Sequence, residues 1–237
     1  MLRGAACLLL IVVALFGSAY TASAKHGQKG ARGGLSHEEV KEAEQRLSEL
    51  GYWAGKADGD FDPVSRHALV AFQKVEGRER TGRLTQAELE ALRGASRPRA
   101  LEGGPAHVEV DISRQVLFFV DDNGVVTKIL PVSTGSGARY FDQGKWQRAH
   151  TPRGRFNVGR KIAGWRRSAL GLLYYPNYFS GGFAIHGSPS VPVYPASHGC
   201  VRIPMFAARE FSEMLPVGTA VIVHDGSGAA AVVAPPR

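Results

Sequence analysis

Cys200 stands in Ser-His-Gly-Cys-Val-Arg, residues 197–202, two residues after His198 and within fifteen of His186. A thiol attacks a carbonyl as the thiolate. An imidazole within reach can take its proton and later return it to a leaving group. Gly199 removes side-chain bulk beside the sulfur, and the N–H groups of Gly199 and Cys200 can face a developing oxyanion. A helix expected from about Pro204 begins just downstream. A thiol near its N-terminus would gain thiolate character from the dipole. The plainer alternative for a lone cysteine in a β-rich segment is an inert buried side chain. A second chemical alternative is zinc, held by His186, His198 and Cys200 with water in the fourth position, and with His150 and Asp142 elsewhere as further donors. His-x-Cys is an uncommon zinc spacing, and no second cluster supports it. One cysteine and two histidines this close together favour covalent catalysis.

The start of the chain sharpens that reading. Arg3 precedes an apolar run from Ala5 to Ala19, and Ala22-Ser23-Ala24 is a small-residue cleavage box. This is the pattern of a secretory signal peptide over residues 1–24. The run is shorter than the ~20 residues a membrane-spanning helix needs, so no stable span is expected after cleavage; an uncleaved anchor is the rival reading. The chain holds two cysteines, and cleavage after Ala24 removes Cys7. Cys200 is then left without an intramolecular partner in an oxidising compartment, where a surviving lone thiol argues for chemistry. The expected location is the periplasm or the cell wall.

Lys and Arg number 29 against 21 Asp and Glu, and loss of Arg3 with the signal leaves a net +7. The basic residues are scattered, and no nucleic-acid motif is present. Gly- and Lys/Arg-rich residues 25–34 read as a flexible segment. Residues 94–105, Gly-Ala-Ser-Arg-Pro-Arg-Ala-Leu-Glu-Gly-Gly-Pro, break every periodic pattern and read as a linker. Residues 226–237 read as a disordered tail. A small module, 35–93, and a larger one, 106–225, remain.

The small module predicts three helices. Ser36 with Glu39 forms a capping box, followed by Val40, Ala43, Leu47 and Leu50 on one face, and Gly51 stops the helix. Asp62-Pro63 starts a second helix with a Val64, Ala68, Phe72, Val75 stripe. Thr85 with Glu88 starts a third, burying Leu89 and Leu92. Tyr52 and Trp53 offer either an exposed platform for a sugar or a closure of the bundle core. Asp58-Gly59-Asp60 does not continue into an EF-hand loop and reads as a tight turn.

The large module alternates with period two at Val108, Val110 and Ile112, then runs through Val116–Val120, the turn Asp121-Asp122-Asn123-Gly124, and Val125–Leu130, a hairpin pattern. Further strands are expected near Gly154–Val158, Phe183–His186 and Ala220–His224, with one helix over Pro204–Met214. The expected fold class is multidomain α+β: a three-helix domain, then a mostly-β domain.

Two resemblances attach to these residues. Leu50-Gly51-Tyr52, Asp58-Gly59, Phe61 and Phe72-Gln73, with Val40, Leu47, Gly55, Ala68, Gly77, Thr85 and Leu89, resemble the peptidoglycan-binding domain found beside wall enzymes. His186-Gly187 with Ser197-His198-Gly199-Cys200-Val201-Arg202 resembles the active-site signature of L,D-transpeptidases of the YkuD type. Thr151-Pro152-x-Gly-x-Phe156 and Gly-x-x-Val-Ile near 218–222 are similar to further stretches of that family. The resemblance implies a β-sandwich-like catalytic domain with the cysteine in a groove. It implies Cys200 as nucleophile and His186 as general base and acid, with the Gly187 carbonyl orienting the imidazole. Ser197, His198 and Gly199 would shape the site and the oxyanion hole. Arg202 would bind a substrate carboxylate or form a structural ion pair. Tyr178, within the aromatic run Tyr174–Phe179, would line the acyl-donor groove, with core packing as the alternative role for such aromatics. The implied partners are peptidoglycan tetrapeptide stems, as acyl donor and acceptor, and carbapenem-type inhibitors. No cofactor is implied. An L,D-carboxypeptidase on the same site, a zinc-dependent wall amidase and a non-catalytic wall-binding protein are the competing readings.

Overall fold

The computed structural model describes residues 34–142 and 144–226. The expected signal peptide, most of the flexible segment and the tail after Gly226 lie outside the described residues. Among those described, no helix is long and apolar enough to cross a membrane.

Local capping places the three helices α1 (His37–Glu49), α2 (Pro63–Val75) and α3 (Gln86–Gly94). Ser36 and Glu39 form a complete capping box. The Asp62 carboxylate accepts from the Val64 and Ser65 amides, and Thr85 Oγ accepts from Glu88. Each such cap stabilises its helix by about 1 kcal/mol. Gly51 leaves α1 at φ +94°, a left-handed turn that favours glycine. The Asp60 amide bonds the Asp58 carboxylate, which closes the expected tight turn.

Among the described residues twelve strands follow, ten of them in two main sheets. β1 (His107–Asp111), β2 (Val116–Val120), β3 (Val126–Pro131), β6 (Gly154–Asn157) and β12 (Ala220–His224) build the first, in the order β3-β2-β1-β12-β6. β7 (Arg160–Lys161), β8 (Trp165–Ser168), β9 (Gly171–Ser180), β10 (Phe183–Ser188) and β11 (Val201–Pro204) build the second, ordered β11-β10-β9-β7 with β8 on β9. β4 (Arg139–Asp142) and β5 (Lys145–Arg148) make a separate hairpin. Helix α4 (Met205–Met214) buries Ala207, Ala208 and Phe211 in the core with Val108, Val110, Ile185, Val201 and Ile203. The chain is α+β, a helical module followed by a mostly-β domain.

The run Val-Leu-Phe-Phe-Val of β2 is buried throughout. Leu117 and Phe119 point into the core shared with the second sheet and α4. Val116, Phe118 and Val120 instead join Leu47, Leu69, Phe72 and Leu89 of the helices. The first sheet thus has a helical layer on one side and a sheet-and-helix layer on the other, which explains why this strand lacks a polar face.

The connection Gly51-Tyr52-Trp53 extends the edge of β3. The Ile129 amide donates to Gly51 O, and the Trp53 amide donates to Ile129 O. Tyr52 packs edge-on against Phe72, and Trp53 reaches the core of the β domain beneath Lys128. Both aromatics are buried, so of the two readings for this pair core closure is the one observed. Residues 95–105 carry no helix or strand, yet Arg97 donates to Val126 O and Glu49 O, and Glu109 accepts the Leu101 and Glu102 amides.

Candidate active site

β10 and β11 run parallel, with Ile185 opposite Val201 and His186 opposite Arg202. Ile185, Val201 and Ile203 are fully buried in the main core. Side chains alternate along a strand, so Ala184 and His186 on β10, and Cys200 and Arg202 at β11, occupy the opposite face. Cys200 immediately precedes β11, two residues before Arg202, the register partner of His186. A register shift between β9 and β10 at Ile185–Gly187 falls at His186. The extra residue on β9 is absorbed where Tyr175 takes φ +49° and Pro176 follows.

His186 is buried, and its Nδ1 lies 2.9 Å from the Gly187 carbonyl. A carbonyl only accepts, so Nδ1 carries the hydrogen and Nε2 is left as a base. Burial holds the imidazole down at about 4; the Gly187 contact opposes this and the Arg202 charge adds to it. The Cys200 thiol is half-buried in a small apolar cluster with Leu173, Tyr178 and Ala184. Burial pushes the thiol up, against the Ala184 amide on the sulfur and the positive charge of Arg202. Both partners therefore rest neutral near pH 7. The expected helix-dipole effect does not operate, because the four residues of β11 stand between Cys200 and α4.

The loop carrying Cys200 is fixed by its own residues and by a neighbour. Ser197 Oγ donates to the Cys200 carbonyl at 2.6 Å and accepts the Gly199 amide at 2.9 Å. Thr151 Oγ1 donates to the Gly199 carbonyl at 2.7 Å and accepts the Gly135 amide at 2.9 Å. Gly199 has φ +136°, and a Cβ there would lie 2.7 Å from the His150 carbonyl as well as against the Phe183 ring. Only glycine fits.

Residues 105–223 match the YkuD family of L,D-transpeptidase catalytic domains, and residues 36–92 match a peptidoglycan binding domain family. A crystal structure of the L,D-transpeptidase from Xylanimonas cellulosilytica is 40% identical, covering 78% of this chain and 93% of that one, with a TM-score of 0.75. The chain belongs to the L,D-transpeptidase family. An L,D-transpeptidase from Stackebrandtia nassauensis is 24% identical over 81% of this chain and 94% of that one, at a TM-score of 0.48. An L,D-transpeptidase in complex with imipenem is 21% identical over 52% and 60%, at 0.42. No curated protein matches this chain in sequence.

Within this L,D-transpeptidase domain the residues singled out by sequence occupy distinct places. Cys200, His186 and Arg202 share one face of the second sheet. Arg202 is half-buried and forms no ion pair among the described residues, so the structural ion pair considered for it is not formed. Gly187 backs onto α4, where a Cβ would run into Ala208 and Tyr174. The Gly199 amide is already taken by Ser197, so it is not a ready oxyanion donor, contrary to the expectation for that group. His198 is exposed, edge-on to Tyr140 of the β4–β5 hairpin at 4.8 Å between ring centres. Tyr178 is largely buried beside Cys200, under the Arg160 guanidinium at 4.3 Å. Phe179 of the same run lies in the main core. Among the described residues no three His, Cys, Asp or Glu side chains converge as a metal requires, so His186, His198 and Cys200 do not form a ligand set. Thr151 was visible only as part of Thr-Pro-x-Gly-x-Phe, and its clamp on Gly199 carried no sequence signal. Gln115 and Thr134, which support the loop from behind, carried none either.

Proposed function

We propose that the chain is an exported transpeptidase that cross-links peptidoglycan stem peptides through a thioester on Cys200. The observation that carries this reading is the placement of Cys200 and His186 on one face of adjacent parallel strands, with the imidazole neutral and its Nε2 free of the Gly187 bond. His186 Nε2 takes the thiol proton as Sγ adds to the amide carbonyl of the third residue, a diamino acid, of a tetrapeptide stem. The carbonyl π pair moves onto oxygen, and in this reading the Cys200 N–H meets it. Collapse breaks the C–N bond to the terminal D-alanine, whose amine departs with the proton from His186. The side-chain amine of a second stem then attacks the thioester, passing a proton to His186, and expels the sulfur, which regains that proton. Water in place of the amine gives an L,D-carboxypeptidase. Arg202, a guanidinium with no ion pair among the described residues, suits a stem carboxylate. Residues 1–24 read as a cleaved signal, which supports a periplasmic or wall location, and the helical module supports retention on the wall. Carbapenems acylate Cys200 in this reading.

Intact-mass spectrometry with a disaccharide-tetrapeptide and, separately, a carbapenem tests it, with Cys200→Ala and EDTA-treated samples alongside. An adduct on Cys200 and a dimeric product, both indifferent to EDTA, are expected. Tripeptide alone would assign the carboxypeptidase. Absence of any adduct, with activity lost to EDTA, would overturn the thiol mechanism.

A further inference from the structure

Lys74 is the most unusual side chain outside the site. It lies on α2, in the helical module, and is 1% exposed. Among the described residues it has no acidic partner, and burial lowers it to about 7. A lone cation in such a place is costly unless its hydrogen bonds are made elsewhere. Its Nζ donates across the module boundary to the carbonyls of Gln115, at 3.0 Å, and Val132, at 2.9 Å.

Those two carbonyls are the rear of the catalytic loop's support. Gln115 is held at φ +62°, a conformation that costs a non-glycine residue of order 1–3 kcal/mol unless its surroundings impose it. From there its amide spans Thr134: Nε2 donates to Thr134 Oγ1 at 2.6 Å, and Oε1 accepts the Thr134 amide at 2.9 Å. The Thr134 carbonyl accepts the amides of Ala196 and Ser197 at 3.0 and 2.9 Å. Ser197 Oγ then holds the Cys200 carbonyl. Beside Val132, Ser133 exchanges two backbone hydrogen bonds with Arg202, and its hydroxyl reaches Tyr194 O. A second link from the helical module runs in parallel, with Arg80 Nη1 donating to Val193 O at 3.0 Å. Every step is a hydrogen bond, and Lys74, Gln115, Ser133, Thr134 and Ser197 are all buried.

We infer that the helical module positions the catalytic loop, with Lys74 acting through Gln115 and Thr134, and Arg80 acting directly on the segment before Ser197, as positioning residues for Cys200. The module is then part of the active-site framework as well as a wall-binding unit. The inference rests on Cys200 as the reacting group only for its kinetic consequence. Its structural consequence stands apart from that reading.

The test uses the full chain as wild type, Lys74→Met and Arg80→Ala. Met keeps the packed stem of Lys74 and removes its donors, and Arg80→Ala removes a partly buried contact outside both cores. Amide hydrogen exchange is followed at Ala196 and Ser197, with β12 as an internal reference. Carbapenem adduct formation at Cys200 is read by mass as a saturable rate and an apparent binding constant. The expected result is faster exchange at Ala196 and Ser197 with β12 unchanged. The limiting acylation rate should fall about tenfold in Lys74→Met and about threefold in Arg80→Ala, at an unchanged binding constant and unchanged sedimentation with wall sacculi. Wild-type protection of Ala196 and Ser197 in both variants would overturn the inference, whatever the rates. A wild-type chain that forms no adduct would count against the proposed reaction alone, since exchange still decides the positioning role. Should Lys74→Met fail to fold, Arg80→Ala alone decides: normal exchange at Ala196 and Ser197 would overturn the inference and faster exchange would sustain it.

Discussion

Thr151 Oγ1 donates to the Gly199 carbonyl across 48 residues of chain, while accepting the Gly135 amide, and so ties the loop carrying Cys200 to the segment that holds Gly135. Replacement by valine keeps the shape and leaves both backbone groups without this partner. The expected cost is about 1–3 kcal/mol in a urea melt. Carbapenem acylation of Cys200 should slow about tenfold, because small displacements of a nucleophile are strongly felt. Thr151→Ser, which keeps the hydroxyl, should remain near wild type in both measurements.

The thiol and imidazole rest neutral, and this sets the pH profile of alkylation. Below a thiol's pKa each pH unit raises the thiolate fraction about tenfold. Burial moves Cys200 above the usual 9.0. Iodoacetamide labelling, read on the Cys200 peptide, should therefore still climb between pH 7 and 9. A plateau from pH 5 upward would mean a preformed thiolate–imidazolium pair and contradict the neutral assignment.

His186 predicts a loss of stability in mild acid. The unfolded chain takes up a proton near 6.5, whereas the buried ring does so only near 4. Between those values the unfolded state binds more protons, so stability falls as pH falls. The full effect is about 3 kcal/mol, reached near pH 4. Urea melts of wild type and His186→Phe between pH 7 and 4.5 check it, and the slope of the variant should be smaller.

Phe118 predicts that the two modules unfold together. It is completely buried between the sheet and the helices. Phe118→Ala should cost about 3–5 kcal/mol. The far-UV helical signal and the near-UV aromatic signal should shift to the same new midpoint. Separate transitions, with only one moved, would show that the shared core does not couple them.

Much of this was legible in the chain, for reasons that differ by element. The helix starts were plain because capping is local: Ser36, Asp62 and Thr85 each bond amides within three residues. The hairpin at Asn123-Gly124 was plain because Gly124 takes φ +75° in its turn. β9 was hidden because Pro176 and the left-handed Tyr175 interrupt its alternation. β4 and β5 were hidden because they bury almost nothing and so have no apolar period. β11 carries no signal of its own because Val-Arg-Ile-Pro is short and runs straight into the α4 pattern, and the strand it forms separates Cys200 from the start of that helix. In the site, Cys200 and His186 stood out by chemical type. Ser197 was marked only by its neighbours, and its bond to the Gly199 amide carried no signal. Gln115, Thr134 and Thr151 act through backbone groups far away in sequence, and no residue pattern encodes such a partner.

The two-sided burial of β2 bears on how such proteins can be inherited. A catalytic half severed at Gly94 would turn Val116, Phe118 and Val120 outward, a stripe of bare hydrocarbon of the kind that draws chains into aggregates. The helical half would likewise lose the cover over Leu47, Leu69 and Phe72. These modules are not beads that recombination can restring freely. Exchange of either half would require the other to be resurfaced, so the pair is expected to descend as one unit.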